Sequence, residues 1–407
     1  MRKALPLFFG VLLAFFPGLS RADDFGLVLD QSGGYTAVGN DGNWDYTGVL
    51  LPRYSGLFGD NGSFYVSAGV VAGYGNQKWS VLPELLRTEL WLLDFANLSG
   101  TDLRIGRLYY SDPLGIIVDG LFDGLRFTYD TPVGSFSAGA WYTGLLYKSR
   151  ARIAMTPEER DSYREDVDYG NFFDTYFAPR RLVTALDYEH PGLGDLFRTR
   201  HSLLAQFDLQ GTRLHSQYLT AKVELPLGAF LFNFGGSFEL KEVSGEVETA
   251  FAAEAGGSWT LPAAVALASR ISLLGRYSSG VMGGKTGAFL PLTTKSQSSI
   301  LQPKVPGTSM IHLDYVARLQ RTVSLSLSSS YFISNDLETY SGYPVSGEEG
   351  EDGRLLGNEF FGRLYWSPYS DMQLTFGAGA FLPSLGNVAP KIDNVWRIEA
   401  SLVFSLY

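Results

Sequence analysis

Two His-Ser doublets are the residues of this chain best suited to chemistry. A histidine and a serine can supply the base and the nucleophile of a hydrolase, and the chain places His201 before Ser202 and His215 before Ser216. Both doublets lie in predicted strands, where neighbouring residues point to opposite faces. The members of a doublet therefore cannot act together, although a pairing of His201 or His215 with a serine on another strand stays open.

Composition narrows the other chemistry. The chain has four histidines and no cysteine, which removes thiolate metal ligands, a cysteine nucleophile, disulfide bonds and a lipoprotein anchor. The stretches "DQSGG" at 30–34 and "NDGN" at 40–43 weakly suggest a calcium site, but such residues are also ordinary turn chemistry. The glycines lie in strands and turns rather than before a helix, so no nucleotide-binding loop is indicated. We expect no enzyme activity, no metal and no cofactor.

The N-terminus has the pattern of a secretory signal peptide. Two basic residues precede an apolar run over 4–16, and Ser20 and Ala22 have the spacing that signal peptidase recognises. We expect residues 1–22 to be removed by cleavage near Ala22. A retained anchor is the alternative, but the run is shorter than the ~20 residues of a spanning helix. The net charge of −10 argues against a nucleic-acid partner.

Residues 23–407 form one region of alternating apolar and polar positions, clearest over 64–74, 247–259 and 372–382. The 47 glycines, 23 tyrosines and 28 phenylalanines, with only 18% charged residues, suit a membrane barrel. Many predicted strands are long enough to cross a bilayer when tilted. We predict strands at 25–32, 44–58, 63–75, 78–95, 101–110, 121–131, 134–148, 180–189, 201–210, 213–225, 229–241, 246–260, 264–277, 308–319, 322–334, 355–367, 371–383 and 395–407.

The connections between these strands alternate in length. Every second one is a brief turn rich in Gly, Pro, Asn and Ser, whereas the others include all the long ones, at 149–179, 278–307, 335–354 and 384–394. One connection, "HPGLGDLFRTR" at 190–200, is on the short side yet long enough for a helical turn. The pattern predicts an all-β fold, a single antiparallel up-and-down transmembrane barrel of about 18 strands (16–18), with long extracellular loops and both termini in the periplasm.

The longest insertion, 149–179, carries a helix start signal. Thr156 precedes Pro157, Glu158 and Glu159, which is the pattern of a capped helix N-terminus. We predict a short helix there. A loop of this size either narrows the channel or stands in solvent, and we favour narrowing.

The polar alternation, if it faces the lumen, supplies the candidate pore-lining residues. Charges on the lipid face cost about 2–4 kcal/mol near the bilayer midplane, so an inward position is expected for most of them. Arg107 and Asp123 depart from the alternation, as Glu84 does, and are expected near rims or bulges. The candidates are Arg87, Arg104, Arg107, Asp123, Arg126, Arg181, Arg270, Arg276, Asp314, Arg318, Glu359, Arg363, Arg397 and Glu399.

These arginines have two interpretations. They could form rows that guide anionic or polar solutes. Alternatively, they could pair with acids across strands and merely fill the barrel, as Arg318 with Asp314 or Arg363 with Glu359 would do. The sequence does not choose between the two.

Three stretches resemble the alginate-export-type outer-membrane porins. They are "LRIGRLYYSDPLGIIVDGLFDGLRFTYD" at 103–130, "LLGRYSSG" at 273–280 and "LGNEFFGRLYWSPYSDMQLTFGAGAFLP" at 356–383. The resemblance implies a monomeric eighteen-stranded barrel in which arginines line a conduit for polar, often anionic, molecules. It carries over to Arg107, Asp123 and Arg126, and it fails at Leu108, where the family has glutamine.

We therefore expect an outer-membrane channel for diffusion or export of small polar, possibly anionic, solutes. A non-transport barrel acting as an adhesin or structural surface protein is the alternative, and an outer-membrane hydrolase comes third. The expected partners are outer-membrane lipid, the solutes, and the outer-membrane insertion machinery, which reads a final strand such as "WRIEASLVFSLY" at 396–407. Tyr407 falls on the polar alternation of that strand, so we expect a bulge or frayed end there.

Overall fold

Eighteen antiparallel strands form a closed ring in the computed structural model. The structure describes residues 23–75, 77–194, 196–211, 214–243, 245–263, 267–281, 286–336, 354–387 and 393–406. Each strand pairs with its neighbours in the chain, and β1 pairs with β18. The prediction of an all-β, up-and-down barrel of about 18 strands is confirmed. The signal peptide and Tyr407 lie outside the described residues.

The strands are β1 Asp23–Val38, β2 Asp41–Phe58, β3 Gly62–Gly75, β4 Lys78–Leu93, β5 Thr101–Ser111, β6 Asp119–Thr131, β7 Gly134–Tyr142, β8 Arg181–Leu193, β9 Phe197–Asp208, β10 Leu214–Leu227, β11 Phe230–Val243, β12 Glu246–Leu261, β13 Ala268–Ser278, β14 Thr308–Arg318, β15 Val323–Ser334, β16 Leu355–Tyr369, β17 Met372–Leu382 and β18 Val395–Leu406. The helices are α1 Lys148–Ala151, α2 Pro157–Arg164 and α3 Phe172–Tyr176, with 3-10 turns at Phe95–Asn97, Tyr169–Asn171 and Pro383–Leu385. No helix among the described residues has the length and apolar character needed to cross a membrane.

The two-residue alternation sorts side chains between two faces of the ring. On β9, for example, Leu203 is exposed and Leu204 is buried; on β11, Phe238 is exposed and Glu239 is fully buried. The outer surface is therefore apolar and the inside carries most of the charge. Closing the ring removes the free edges that an open sheet of such long strands would expose.

Several predicted strand boundaries were wrong. The strand predicted at 134–148 ends at Tyr142, before the β7–β8 loop. Two other boundaries were missed because strands continue through glycine- or proline-containing stretches. The connection predicted at 190–200 is only 194–196, since β8 runs to Leu193 and pairs with Phe197 across an irregularity after His190. A bulge shifts the alternation there, which hid the strand from a two-residue pattern. Likewise "DQSGG" at 30–34 lies within β1 rather than in a turn.

A bulge in β4 explains why Glu84 broke the alternation. Ser67 of β3 pairs with Arg87 and Ala68 pairs with Leu85, so Leu86 is the extra residue. Glu84 is buried on the inner side before the bulge, and Arg87 is on the inner side after it. A single inserted residue reverses the facing of every residue beyond it, so both side chains point inward despite opposite parity.

The buried apolar core sits inside the ring, where loops meet the wall. One cluster joins the β5–β6 connection, the β7–β8 loop and the β13–β14 loop to inward residues of β8 to β10. Ile117, Ile153 and Phe289 represent the three loops in it, and all are fully buried. The loops therefore pack against one another as a core instead of standing in solvent.

Candidate solute channel

The β7–β8 loop is attached to the wall by a capped helix. The Thr156 hydroxyl accepts the Glu159 N–H at 3.2 Å, and the Glu159 carboxylate accepts the N–H groups of Met155 and Thr156 at 2.9 Å, so the predicted helix, α2, is present with its capping box. The other Glu159 oxygen accepts from the Arg181 guanidinium. Glu159, which belongs to the helix start signal, therefore also binds the β7–β8 loop to β8.

Arg181 is an anchor rather than a free pore cation. Its guanidinium is fully buried and donates to the Gln206 side-chain oxygen at 3.0 Å and to the Leu214 carbonyl at 3.1 Å, in addition to Glu159. A buried charge is tolerated only with such partners. Arg181 therefore holds α2 against β8, β9 and β10.

The β13–β14 loop meets the other two loops across the lumen. The Thr293 N–H donates to the Ile117 carbonyl at 3.0 Å, and the Thr294 N–H donates to the Arg152 carbonyl at 2.8 Å. On the far side, Glu359 of β16 accepts the N–H groups of the loop residues Ser299, Ile300 and Leu301 at 2.9–3.1 Å. The loop is thus fixed to walls far apart in the ring, so it must narrow the passage.

The β5–β6 connection, 112–118, is held rigid by Asp112. Its carboxylate accepts N–H groups from Leu114 and Gly115 at one oxygen and from Ile117 and Val118 at the other, at 2.8–3.1 Å. Burial raises the pKa of this carboxyl, and the backbone donors oppose that rise. Because four of its backbone N–H groups bond to Asp112, the 112–118 connection is rigid. It therefore presents a fixed surface to the β13–β14 loop.

Several of the charges below the loops are joined in ion pairs. Glu89 pairs with Arg87 and lies 3.6 Å from Arg104, which also stacks over the Trp91 ring at 4.2 Å. These side chains line a cavity of about 370 Å³ on the inner side of β1 to β5. Arg87 and Arg104 therefore lie on the inner side and share one carboxylate.

A second row of charges crosses the β18–β1 closure. Arg363 donates to Glu399 at 2.9 Å, Glu399 also accepts from Arg397 at 3.2 Å, and Arg397 donates to Asp45 at 2.7 Å. Arg363 further donates to the Ser299 hydroxyl at 2.6 Å. The row alternates in sign, so each arginine has an acidic neighbour on an adjacent or nearby strand.

The remaining inward candidates divide into paired and unpaired residues. Arg276 donates to Glu254 at 3.0 Å, and Arg126 lies 3.9 Å from Asp187. Arg270 and Arg318 lie near the short turns and make no ion pair within the described ranges. Asp314 accepts from the Ser326 hydroxyl at 3.2 Å.

The cross-strand pairing of arginines with acids occurs, but with partners other than those expected. Within the described residues Arg318 does not pair with Asp314, and Arg363 pairs with Glu399 rather than Glu359. Glu359 instead binds the backbone of the β13–β14 loop. Loop placement, which the sequence does not encode locally, decides these partners.

Arg107 and Asp123 are placed differently from the other candidates. They are direct cross-strand partners joined by two hydrogen bonds, at 2.9 and 2.8 Å. They belong to the same alternation as Ile105 and Leu125, which are exposed on the outer surface. Arg107 is nevertheless buried, because the β7–β8 loop and β4 cover it. The expectation of a parity violation near a rim or bulge fits, whereas a pore-lining role does not.

Two loop cations, Arg152 and Lys304, lie where the loops meet, and the sequence reasoning missed both. Arg152 has a positive φ of 53°, and its carbonyl accepts from both the N–H and the hydroxyl of Thr294. Burial, and then the like charge of Arg152, lowers the pKa of Lys304. Neither makes an ion pair with a carboxylate among the residues that the structure describes. Arg152 is exposed and the Lys304 ammonium donates to the Ser296 hydroxyl at 2.7 Å, so the two cations form a positive site where the loops meet.

The structure offers little support for hydrolase chemistry. His201 lies beside Tyr188 and His215 beside Phe207, and in the described ranges neither bonds to a serine. A different histidine does, since His312 Nδ1 and the Ser330 hydroxyl are 2.8 Å apart on β14 and β15. No acidic group bonds to His312 in the described part of the chain, and no cluster there could hold a metal ion.

Comparison with known proteins identifies the architecture. No family model matches this chain. No curated protein matches it either. Solved outer-membrane porins of Pseudomonas aeruginosa do match over nearly the whole of both chains. This barrel has the porin fold.

The individual similarities are remote in sequence. OccK2 (OpdF), solved in complex with glucuronate, matches with a TM-score of 0.63 at 11% identity, over 96% of this chain and 99% of that one. OpdQ matches with 0.62 at 12%, over 95% and 99%. OccK11 (OpdR) matches with 0.57 at 14%, over 96% and 99%. At such identities the likeness establishes the porin fold but not a shared solute.

Proposed function

We propose that this protein is an outer-membrane channel through which small polar solutes diffuse. The observation that carries the proposal is the meeting of the 112–118, 143–180 and 279–307 loops inside the ring, through the Thr293–Ile117 and Thr294–Arg152 bonds. A barrel that served only to display loops would have no need to fold them inward onto opposite walls. The non-transport surface barrel is therefore the weaker candidate.

The preferred solute is an anion, and a carboxylate best fits the site. Arg152 and Lys304 are cations without an ion-paired carboxylate in the described ranges, whereas the arginines of the wall are mostly ion-paired. Arg152 is exposed and Lys304 is half-buried, so both charges are accessible to an anion, and the partial burial of Lys304 strengthens its attraction for one. The structural match to a porin solved with glucuronate, a carboxylate, is consistent with this preference. The sequence resemblance to alginate-export-type porins at 103–130, 273–280 and 356–383 would imply that the anion is a uronate.

The membrane setting is part of the same proposal. The apolar outer surface would contact outer-membrane lipid, and β18 would serve as the recognition strand of the insertion machinery. The signal peptide would direct export and would then be removed near Ala22. Heat-modifiable mobility of the purified protein on a detergent gel tests the barrel itself.

Single-channel recording in a planar bilayer tests the function. We expect discrete conductance steps and, in a salt gradient, a reversal potential displaced toward the anion. Deletion of 150–177 should raise the conductance if the β7–β8 loop narrows the passage. A folded barrel that shows no steps would refute the channel, and an unchanged conductance after the deletion would refute the narrowing.

A further inference from the structure

The wall is split between β4 and β5 over the upper half of β4. The strands pair from Leu93 with Asp102 up to Thr88 with Arg107. Above that point β5 continues to Ser111, bonded to β6, and β4 continues to Lys78, bonded to β3. In the described ranges residues 78–87 have no strand partner on the β5 side. A slit therefore opens in the wall above Thr88.

The sequence of β4 suits a free edge at this position. Proline has no N–H to donate, so it is restricted to edges and bulges of sheets, and Pro83 lies in the middle of the unpaired stretch. The N–H and carbonyl of Val81 and the carbonyl of Pro83 point into the slit. They form hydrogen bonds with side chains and not with a neighbouring strand. Pro83 is the local signal that would have indicated the split.

A plug segment, 169–177, fills the slit. The Tyr169 hydroxyl accepts from the Val81 N–H at 3.2 Å and donates to the Val81 carbonyl at 3.0 Å. The Tyr176 hydroxyl donates to the Pro83 carbonyl at 2.8 Å. Tyr176 also stacks on Tyr147 and on Phe172. Two tyrosine hydroxyls thus replace a backbone ladder.

The base of the slit is closed by the Arg107–Asp123 pair. Besides Asp123, Arg107 donates to the Leu85 carbonyl of β4 and to the Leu145 carbonyl of the β7–β8 loop. This arrangement accounts for a charged pair on the outer alternation, since the pair satisfies the backbone where the strands part. It also fixes the lower limit of any opening.

The height of the slit corresponds to the bilayer. The paired part of β5, 102–107, covers about 20 Å along the strand, or about 15 Å of height at a tilt of ~40° within an apolar band of about 25 Å. Exposed apolar residues of the outer surface begin close to the short turn, at Leu93 and Ile105, so a slit that starts about 15 Å above Asp102 begins inside this band and extends toward the long-loop end.

The two sides of the plug differ in chemistry. Outside, Trp79 and Val81 of β4 and Tyr109 of β5 are exposed and flank the slit. Inside, Glu84 is buried on the lumen side and accepts from Arg150 of the β7–β8 loop at 2.8 Å. A path through the slit would join an apolar surrounding to a charged lumen.

We propose that the slit is a lateral portal for amphipathic molecules with a polar head and an apolar chain, and that the plug segment is its door. The head would pass through the lumen while the chain stays in the bilayer until the slit is cleared. The door opens without breaking a strand ladder, because a few side-chain hydrogen bonds and ring contacts hold it. The portal leaves the lumen through the wall instead of along the barrel axis, so transfer through it and axial conductance are measured separately.

A cross-link that fixes the door tests the portal, and the absence of cysteine makes the labelling unambiguous. Val81→Cys with Tyr169→Cys, joined by a short bifunctional thiol reagent, ties the plug to β4. Ile105→Cys with Leu125→Cys is the matched control, since these exposed residues are already cross-strand partners of β5 and β6. The assay uses proteoliposomes and a lysophospholipid with a fluorescent headgroup. Transfer is measured as the fluorescence that a quencher added outside the vesicles cannot reach.

We expect the Val81–Tyr169 cross-link to reduce transfer about fivefold or more and the control cross-link to leave it unchanged, while axial conductance stays the same in both. Tyr169→Phe, which keeps the ring but loses the hydroxyl, should speed transfer at least fivefold, because it removes both hydrogen bonds to Val81 and one such bond alone is equivalent to about fivefold. Transfer that neither the cross-link nor Tyr169→Phe alters would overturn the portal. Dimers cross-linked through the thiol of the Tyr169→Cys variant would also overturn it, by showing that the free edge binds a second copy.

Discussion

Glu159 caps its own helix with one carboxylate oxygen and binds the buried guanidinium of Arg181 with the other. The contact joins a loop to three strands through one side chain, because Arg181 also reaches Gln206 and Leu214. The position of the narrowing loop therefore depends on a pair that is buried away from solvent.

Breaking that pair should release the loop. Glu159→Ala leaves Arg181 buried without its carboxylate, which costs about 3–5 kcal/mol for a buried pair. We expect a higher and noisier single-channel conductance and a lower temperature of heat modification on a gel. Glu158→Ala, on the exposed side of the same helix turn, should alter neither. A wild-type conductance in Glu159→Ala would show that the loop is held by other contacts.

The Arg152 and Lys304 site should set ion selectivity. Replacing both by alanine should move the reversal potential in a salt gradient toward the cation, while Arg270→Ala at the short-turn end should shift it less. Equal shifts would mean that the general charge of the lumen decides selectivity.

Selectivity should also depend on pH. Because the pKa of Lys304 lies below its usual range, Lys304 loses its charge at lower pH than an ordinary lysine. Anion preference should therefore fall as pH rises toward the ordinary lysine range, ~10. Lys304→Arg should keep the preference over the same range, since arginine stays protonated. If anion preference falls with pH in the same way in the wild-type protein and in Lys304→Arg, Lys304 is excluded as the titrating group.

Neutralising an acid in the β18–β1 row should act in the opposite direction to removing the loop cations. Glu399→Gln frees Arg363 and Arg397 from their shared carboxylate, so the lumen gains uncompensated positive charge. We expect a reversal potential displaced further toward the anion, with conductance of similar size. Glu158→Gln changes net charge by the same amount on the exposed face of α2 and is the control. A shift of the same size in both would assign the effect to net charge alone.

Gly106 should tolerate no side chain. Its φ is +130°, and an added Cβ would lie 2.2 Å from the Thr88 carbonyl oxygen, at the last pair before β4 and β5 separate. We expect Gly106→Ala to lower the temperature of heat modification on a gel and to weaken closure at the base of the slit. Gly75→Ala, where a Cβ meets nothing within 4 Å, should have little effect. Equal stability of the two variants would contradict this account.

The alternation of residues determined the strands and their facing without any structure. Segments such as 372–382 bury one face and expose the other only as strands, so the number of strands and the closed ring followed from local pattern. The helix start at Thr156 was equally local, since Glu159 lies three residues away and bonds back to it. Errors came where a bulge interrupts the two-residue period, after His190 and at Leu86.

Only the tertiary structure decided which charges are available to a solute. Arg181 and Arg270 look alike in an alternating strand, yet one is completely buried against Glu159 and the other is exposed. The reason is that the acidic partner of a wall arginine can lie in a loop far away in sequence, as Glu159 does for Arg181, and Arg270 has no such partner within the described ranges. Arg152 and Lys304 gained their position in the same way, because two loops meet there, and no spacing in the chain encodes that meeting.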